Sequence, residues 1–84
     1  GFDVSRQADL VEAYGFVQLK RGDAKAAVTA LQRALELAPE SPSVLYRLGL
    51  AQLEAGAIDA GRASLQRVLA RGPGGPLYAD AKAA

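Results

Sequence analysis

The chain has 84 residues and a net charge of +1, from 10 Lys and Arg against 9 Asp and Glu, and it contains neither histidine nor cysteine. That length bounds it to one small domain with a thin core, since short chains bury a lower fraction of their surface. Near-neutrality gives no electrostatic reason to bind nucleic acid or an anionic membrane, and the missing cysteine and histidine remove disulfides, thiolate metal sites, the usual general base and every Ser-His arrangement.

The opening Gly1-Phe2-Asp3-Val4-Ser5 has no basic region followed by an apolar run, so no signal peptide is expected. A first helix is predicted near 7–20, where Leu10, Val11, Tyr14, Val17 and Leu19, with Phe16 beside them, place apolar groups mostly at spacings of three and four. Gly22 breaks that pattern. Asp23 then caps a second helix near 24–37, whose apolar stripe is Ala27, Val28, Leu31, Ala34 and Leu35, and Pro39 ends it. Ser41 is a good N-cap for a third helix near 42–55, with Pro42 at the first helical position, where its missing amide hydrogen costs nothing. Val44, Leu45, Leu48 and Leu53 follow, and Gly56 supplies the next turn. Ile58, Leu65, Val68 and Leu69 mark a fourth helix near 58–71, closed by Gly72-Pro73. Gly74-Gly75 makes a joint, and Pro76 opens a short Ala-rich segment read as a partial fifth helix. The longest stretch without a charge, 72–79, is rich in Gly and Pro and far short of the roughly 20 apolar residues that span a bilayer. No direct membrane span is expected.

The chain repeats itself without insertion or deletion at a spacing of 34 residues: Gly15/Gly49, Gln18/Gln52, Leu19/Leu53, Gly22/Gly56, Ala26/Ala60, Leu31/Leu65, Gln32/Gln66, Arg33/Arg67, Leu35/Leu69 and Pro39/Pro73. Many of the matches fall on residues that set turns and helix packing, so one supersecondary unit is stacked on a copy of itself. The units are 8–41 and 42–75, and 76–84 is a partial third unit or capping helix of the same single domain, 1–84.

At this period the pattern resembles the tetratricopeptide repeat, over about residues 8–75. Val11, Tyr14, Gly15, Gly22, Ala27, Leu31, Ala34 and Pro39 stand at the family's signature positions, and Leu45, Leu48, Gly49, Gly56, Gly61, Leu65, Val68 and Pro73 repeat them. The resemblance implies an all-α fold, two helical hairpins in a right-handed α-solenoid. Physically, Gly15 is expected to meet Ala27, and Gly49 to meet Gly61, so that the helices approach at the low end of the usual ~8–10 Å range, with Leu31 and Leu65 filling the space beside each crossing. Two positions depart from the family. Gln18 and Gln52 replace a common tyrosine, which puts amides in need of partners at the packing seam, and Gly61 replaces an alanine at a propensity cost of roughly 1 kcal/mol.

Nothing in the sequence assembles a catalytic, cofactor or metal site. Carboxylate pairs such as Asp9 with Glu12, or Asp23 with Glu36, read as solvated faces and helix caps. Gly72-Pro73-Gly74-Gly75 is followed by proline and not by the Lys-Ser or Lys-Thr of a phosphate loop. Lys20, Arg21 and Lys25, and the series Arg62, Arg67 and Arg71, lack the interleaved aromatics of a nucleic-acid surface.

What the resemblance does imply is a concave groove lined by the first helix of each unit: Asp9, Glu12, Phe16, Leu19 and Lys20, then Ser43, Tyr46, Leu50, Leu53 and Glu54. The positions that bear a lysine and two asparagines in relatives that clamp chaperone tails are Glu12, Phe16 and Arg47 here, so no clamp for a terminal carboxylate is expected. The function read from the chain is non-enzymatic protein–protein interaction, with a protein or peptide in this partly apolar groove. Rival readings are a stacking segment of a longer array, or an accessory domain of a larger enzyme. The bias to Ala, Leu, Arg and Gly looks like that of a GC-rich bacterial protein, and the register resembles repeats of bacterial envelope and exopolysaccharide-assembly proteins. Since about three units are usually needed to outweigh chain entropy, the outer faces of the first helix and of 58–69 are expected to stay partly apolar. They would be covered by further repeats or by self-association through Tyr46, Leu50, Leu65 or Tyr78.

Overall fold

The computed structural model of the chain describes residues 4–39, 41–70 and 78–83, and they form five helices: α1 Val4–Lys20, α2 Ala24–Leu37, α3 Pro42–Glu54, α4 Ile58–Leu69 and α5 Tyr78–Ala83. Among the described residues there is no strand. The fold is all-α, with α1 packed on α2, α3 on α4, α2 on α3, and α5 on α4. α1 begins three residues before the predicted start. The predicted Gly74-Gly75 joint lies outside the described residues.

Both hairpin turns use the same device. Gly22 (φ 84°) and Gly56 (φ 89°) adopt the left-handed conformation that side chains resist, and each ends its helix. The Asp23 N–H reaches back to the Gln18 carbonyl at 2.9 Å, and the Ala57 N–H to the Gln52 carbonyl at 2.8 Å, closing the last turn of α1 and α3. The starts differ. Asp23 Oδ1 accepts from the Ala26 N–H at 3.1 Å, whereas Ala57 gives α4 no side-chain cap. Ser41 Oγ accepts from the Val44 N–H at 3.4 Å, with Pro42 in the first turn, as the sequence predicts.

The glycines at the hairpin crossings are there because helices touch. A Cβ on Gly49 would lie 3.2 Å from the Gly61 carbonyl oxygen, and one on Gly61 would lie 2.9 Å from that of Gly49, so these two backbones meet as expected. At the first crossing the atoms nearest to a side chain at Gly15 belong to Leu31 and Ala30. A Cβ on Gly15 would sit 2.7 Å from Leu31 Cγ and 3.3 Å from Ala30 Cβ, so the leucine itself occupies the place a side chain would take. Gly61 therefore costs helix propensity for a reason. Gly61→Ala, which restores the family's common alanine, is expected to lower the melting temperature: its ~1 kcal/mol propensity gain is outweighed by an overpacking cost of about 1–3 kcal/mol, because a backbone carbonyl has no rotamer to escape into. A melt at or above that of the parent would show that the crossing yields freely.

Two buried clusters form the core, one within the α2–α3 seam and the other among α3, α4 and α5. One joins Ala27 and Leu31 to Leu48 and Ala51, with Leu19, Val28 and Leu35 packed against it. The other joins Leu45, Leu65 and Val68 to Ala81 of α5, with Leu35, Tyr46, Leu53 and Leu69 around it. Of the two seam amides, Gln52 has a partner: Ser64 Oγ donates to Gln52 Oε1 at 2.7 Å, and no buried side-chain N or O among the described residues lacks one.

The face that α1 buries departs from the prediction. Leu10, Tyr14 and Val17 are exposed, while Ala8, Glu12, Gly15 and Gln18 turn inward. Among the described residues α1 packs on α2 and, over a smaller area, on α3. The predicted apolar outer face is thus present on α1. On α4 the cap segment covers most of the corresponding face: Leu65 and Val68 are buried and Ile58 remains exposed.

Candidate functional site

Glu12, Phe16 and Lys20 follow one another at intervals of four along α1, which places them on one side of that helix. α3 brings Arg47 against them. Its guanidinium donates from Nη1 to Glu12 Oε2 at 2.8 Å, and its Cζ lies 4.2 Å from the centroid of the Phe16 ring. Lys20 Nζ lies 5.0 Å from the same centroid. The ring is therefore held by two cations, an arrangement that gains strength as water is excluded. The Glu12 side chain is 9% exposed and that of Arg47 is 32% exposed, so the carboxylate is sunk in the seam and the arginine is partly open to solvent.

Glu12 thus serves as an internal counterion that joins the two hairpins, and not as an open acid of the groove. The pair also settles what Arg47 does with one fork of its guanidinium, which is committed to Glu12. A cation already paired with a buried carboxylate is a poor anchor for a chain-terminal carboxylate, and the second and third clamp positions hold the Phe16 ring and Arg47 itself.

The other candidate residues divide into open and committed ones. Asp9, Lys20 and Glu54 are exposed, and Phe16, Ser43, Tyr46 and Leu50 are half-buried. Leu19 and Leu53 are half-buried too, and with Tyr46 they pack against the core: Leu19 on the cluster around Leu31, and Tyr46 and Leu53 on the one around Leu45, with Leu53 beside Gly61. Ser43 Oγ shares a hydrogen bond with Ser41 Oγ at 3.1 Å at the start of α3. Arg47, which joins Glu12 and Phe16 across the hairpins, was absent from the sequence-based set. Its signal was its position 35 residues after Glu12, one repeat plus one, which puts the two on neighbouring first helices.

No group of metal-ligating side chains gathers among the described residues, and no described helix is long and apolar enough to cross a membrane. An open cleft of about 260 Å³ lies between α4 and α5, lined by Arg62, Leu65, Gln66, Leu69, Ala81 and Lys82.

Helical hairpins repeated in register every 34 residues, with glycine at each turn and at each crossing, define a helical-repeat protein. Residues 17–76 match a family model for the tetratricopeptide repeat, and the chain belongs to that family. No curated protein and no solved structure matches the chain. Tetratricopeptide repeats commonly mediate protein–protein interactions and are typically non-enzymatic.

Proposed function

We propose that the chain is a single interaction domain, with units 8–41 and 42–75, that takes an apolar stretch of a peptide or protein against the side of α1 and α3 bearing Phe16, Tyr46 and Leu50. The observation that carries this reading is the half-buried Phe16 ring, fixed by Arg47 and Lys20 and flanked by side chains from both hairpins. A ring held in place loses little rotamer freedom on binding, which is the quality of an anchor residue. Asp9 and Glu54, both exposed, stand as a polar rim. Chemistry, a cofactor and nucleic acid have no part in it.

Peptides selected from a random displayed library against the chain provide the test. The selected peptides are expected to share an apolar anchor, and Phe16→Ala and Leu50→Ala to weaken them by about tenfold or more, with helical circular dichroism retained. Arg62→Ala and Arg67→Ala, on α4, are expected to change little. Added salt is expected to matter little as well, because Arg47 is already neutralised by Glu12 and the contacts are mainly apolar. Equal losses from both pairs of variants would place binding elsewhere, and a steep salt dependence would favour the basic residues of α4.

A further inference from the structure

The ion pair of Glu12 with Arg47 stands where the repeated architecture does not require one. One repeat further on, the same two places are Tyr46 and Ala81, which belong to one apolar cluster of α3, α4 and α5. That seam is closed without charge, and apolar packing in such a place is often no weaker than a buried ion pair. At the first seam the pair instead sinks the Glu12 carboxylate, 9% exposed, and leaves Arg47 partly open beside the Phe16 ring. Among the described residues no further acceptor meets the Arg47 guanidinium, so one arm of it is committed and the other is open.

Resting on the reading of this side as a peptide groove, we infer that Glu12 is its specificity-determining residue: by occupying Arg47 from within, it confines the ligand segment beside Phe16 to uncharged residues and turns acidic ones away. An acidic side chain that reaches Arg47 has two courses. If it draws the guanidinium off, Glu12 is left buried without its counterion and the Phe16 ring loses a cation. If it shares the guanidinium, two carboxylates compete for one positive charge, and the newcomer gives up its water for little in return. A carbonyl or amide oxygen meets neither obstacle, because the open arm of Arg47 donates to it without adding charge. The other charges assigned to this side lean the same way. Asp9, Glu12 and Glu54 stand there against Lys20 and Arg47, an excess of negative charge in a chain whose net charge is +1. Lys20 is exposed, so its attraction for an anion is screened by solvent.

The deciding variant is Glu12→Gln, which keeps the shape of the side chain and an acceptor for Arg47 but removes the charge. The probe is a peptide selected against the parent chain from a random displayed library, made in two forms, with Asn or with Asp at both places flanking its apolar anchor. Each form is titrated into the whole chain and into the variants. The parent is expected to bind the Asn form about tenfold more tightly than the Asp form, or better. Glu12→Gln is expected to narrow that ratio by about tenfold or to reverse it, and to make binding of the Asp form fall steeply with salt. The ratio is read within one protein, so a loss of stability in the variant cancels. Glu12→Gln/Arg47→Gln, which has the parent's net charge of +1, is expected to favour the Asn form again. If Phe16→Ala weakens both forms and the ratio is nevertheless the same in the parent and in Glu12→Gln, this inference is overturned and the groove reading stands. A parent that takes both forms alike, or prefers Asp, overturns it as well. So does a shift that persists in the double variant, since Glu12 would then act on the ligand without Arg47. Peptides indifferent to Phe16→Ala would overturn the groove reading and this inference with it.

Discussion

Leu31→Ala is expected to destabilise the chain by about 2–5 kcal/mol, the range for deleting a buried leucine side chain. Leu31 is fully buried, it meets Gly15 on α1, and it shares a cluster with Leu48 and Ala51 on α3. One side chain therefore joins three helices and both hairpins. The cavity left behind is bounded by glycine on one side and by helix backbones in close contact, so its walls have little room to collapse. In a domain whose total stability falls in the usual range of ~5–15 kcal/mol, such a loss lowers the melting temperature by roughly 10–30 °C. Urea unfolding should show a lower midpoint with an unchanged slope. Leu10→Ala is the control. The same atoms are removed from a residue that is 65% exposed, and the expected change is within about 0.5 kcal/mol. Equal losses at the two positions would mean that the open side of α1 is covered in solution.

That contrast also marks what could be read before any coordinates. Turns and caps were legible because each rests on a local cause: Gly22 and Gly56 supply the left-handed conformation, and Asp23 and Ser41 accept from amides of the turn that follows. The contact of Gly49 with Gly61 was legible from the repeat, since two missing side chains facing each other imply two backbones that touch. The buried side of α1 was not. Leu10, Tyr14 and Val17 are exposed, and the most deeply buried positions of α1 are Ala8, Glu12, Gly15 and Gln18, with Leu19 packed on the cluster around Leu31. In a repeat stack each first helix carries apolar faces for both neighbours. Periodicity finds the faces without telling which one is occupied.

The candidate site shows a related gap. Glu12, Phe16 and Arg47 were all visible as residues of interest, taken singly from their places in the family pattern. That Glu12 is spent on Arg47, and that Arg47 and Lys20 hold the Phe16 ring, depends on the placement of α3 beside α1, which no local rule sets. Leu53 was assigned to the groove on the same pattern, yet Gly61 opens a space that only a neighbouring side chain can fill, and Leu53 fills it.

Gly15→Leu is expected to destabilise by about 3 kcal/mol, the upper end of the overpacking range, even though leucine is the better helix former by somewhat under 1 kcal/mol. A Cβ alone would stand 2.7 Å from Leu31 Cγ, and Leu31 has no exposed volume into which to turn. α1 and α2 must separate, or Leu31 must leave its rotamer and disturb Leu48 and Ala51 behind it. A thermal melt in which Gly15→Leu is more stable than the parent would contradict the contact. The sharper measurement joins this change to the first one. In Gly15→Leu/Leu31→Ala the new side chain enters from α1 the space that the old one leaves on α2, so the volume between the helices is nearly conserved, and volume-conserving exchanges are the best tolerated. The double variant is expected to lose less than the sum of the single losses, with a coupling of roughly 1–3 kcal/mol in its favour. Strictly additive losses would mean that residues 15 and 31 do not compete for one space, and that the glycine at this crossing answers to some other demand of the fold.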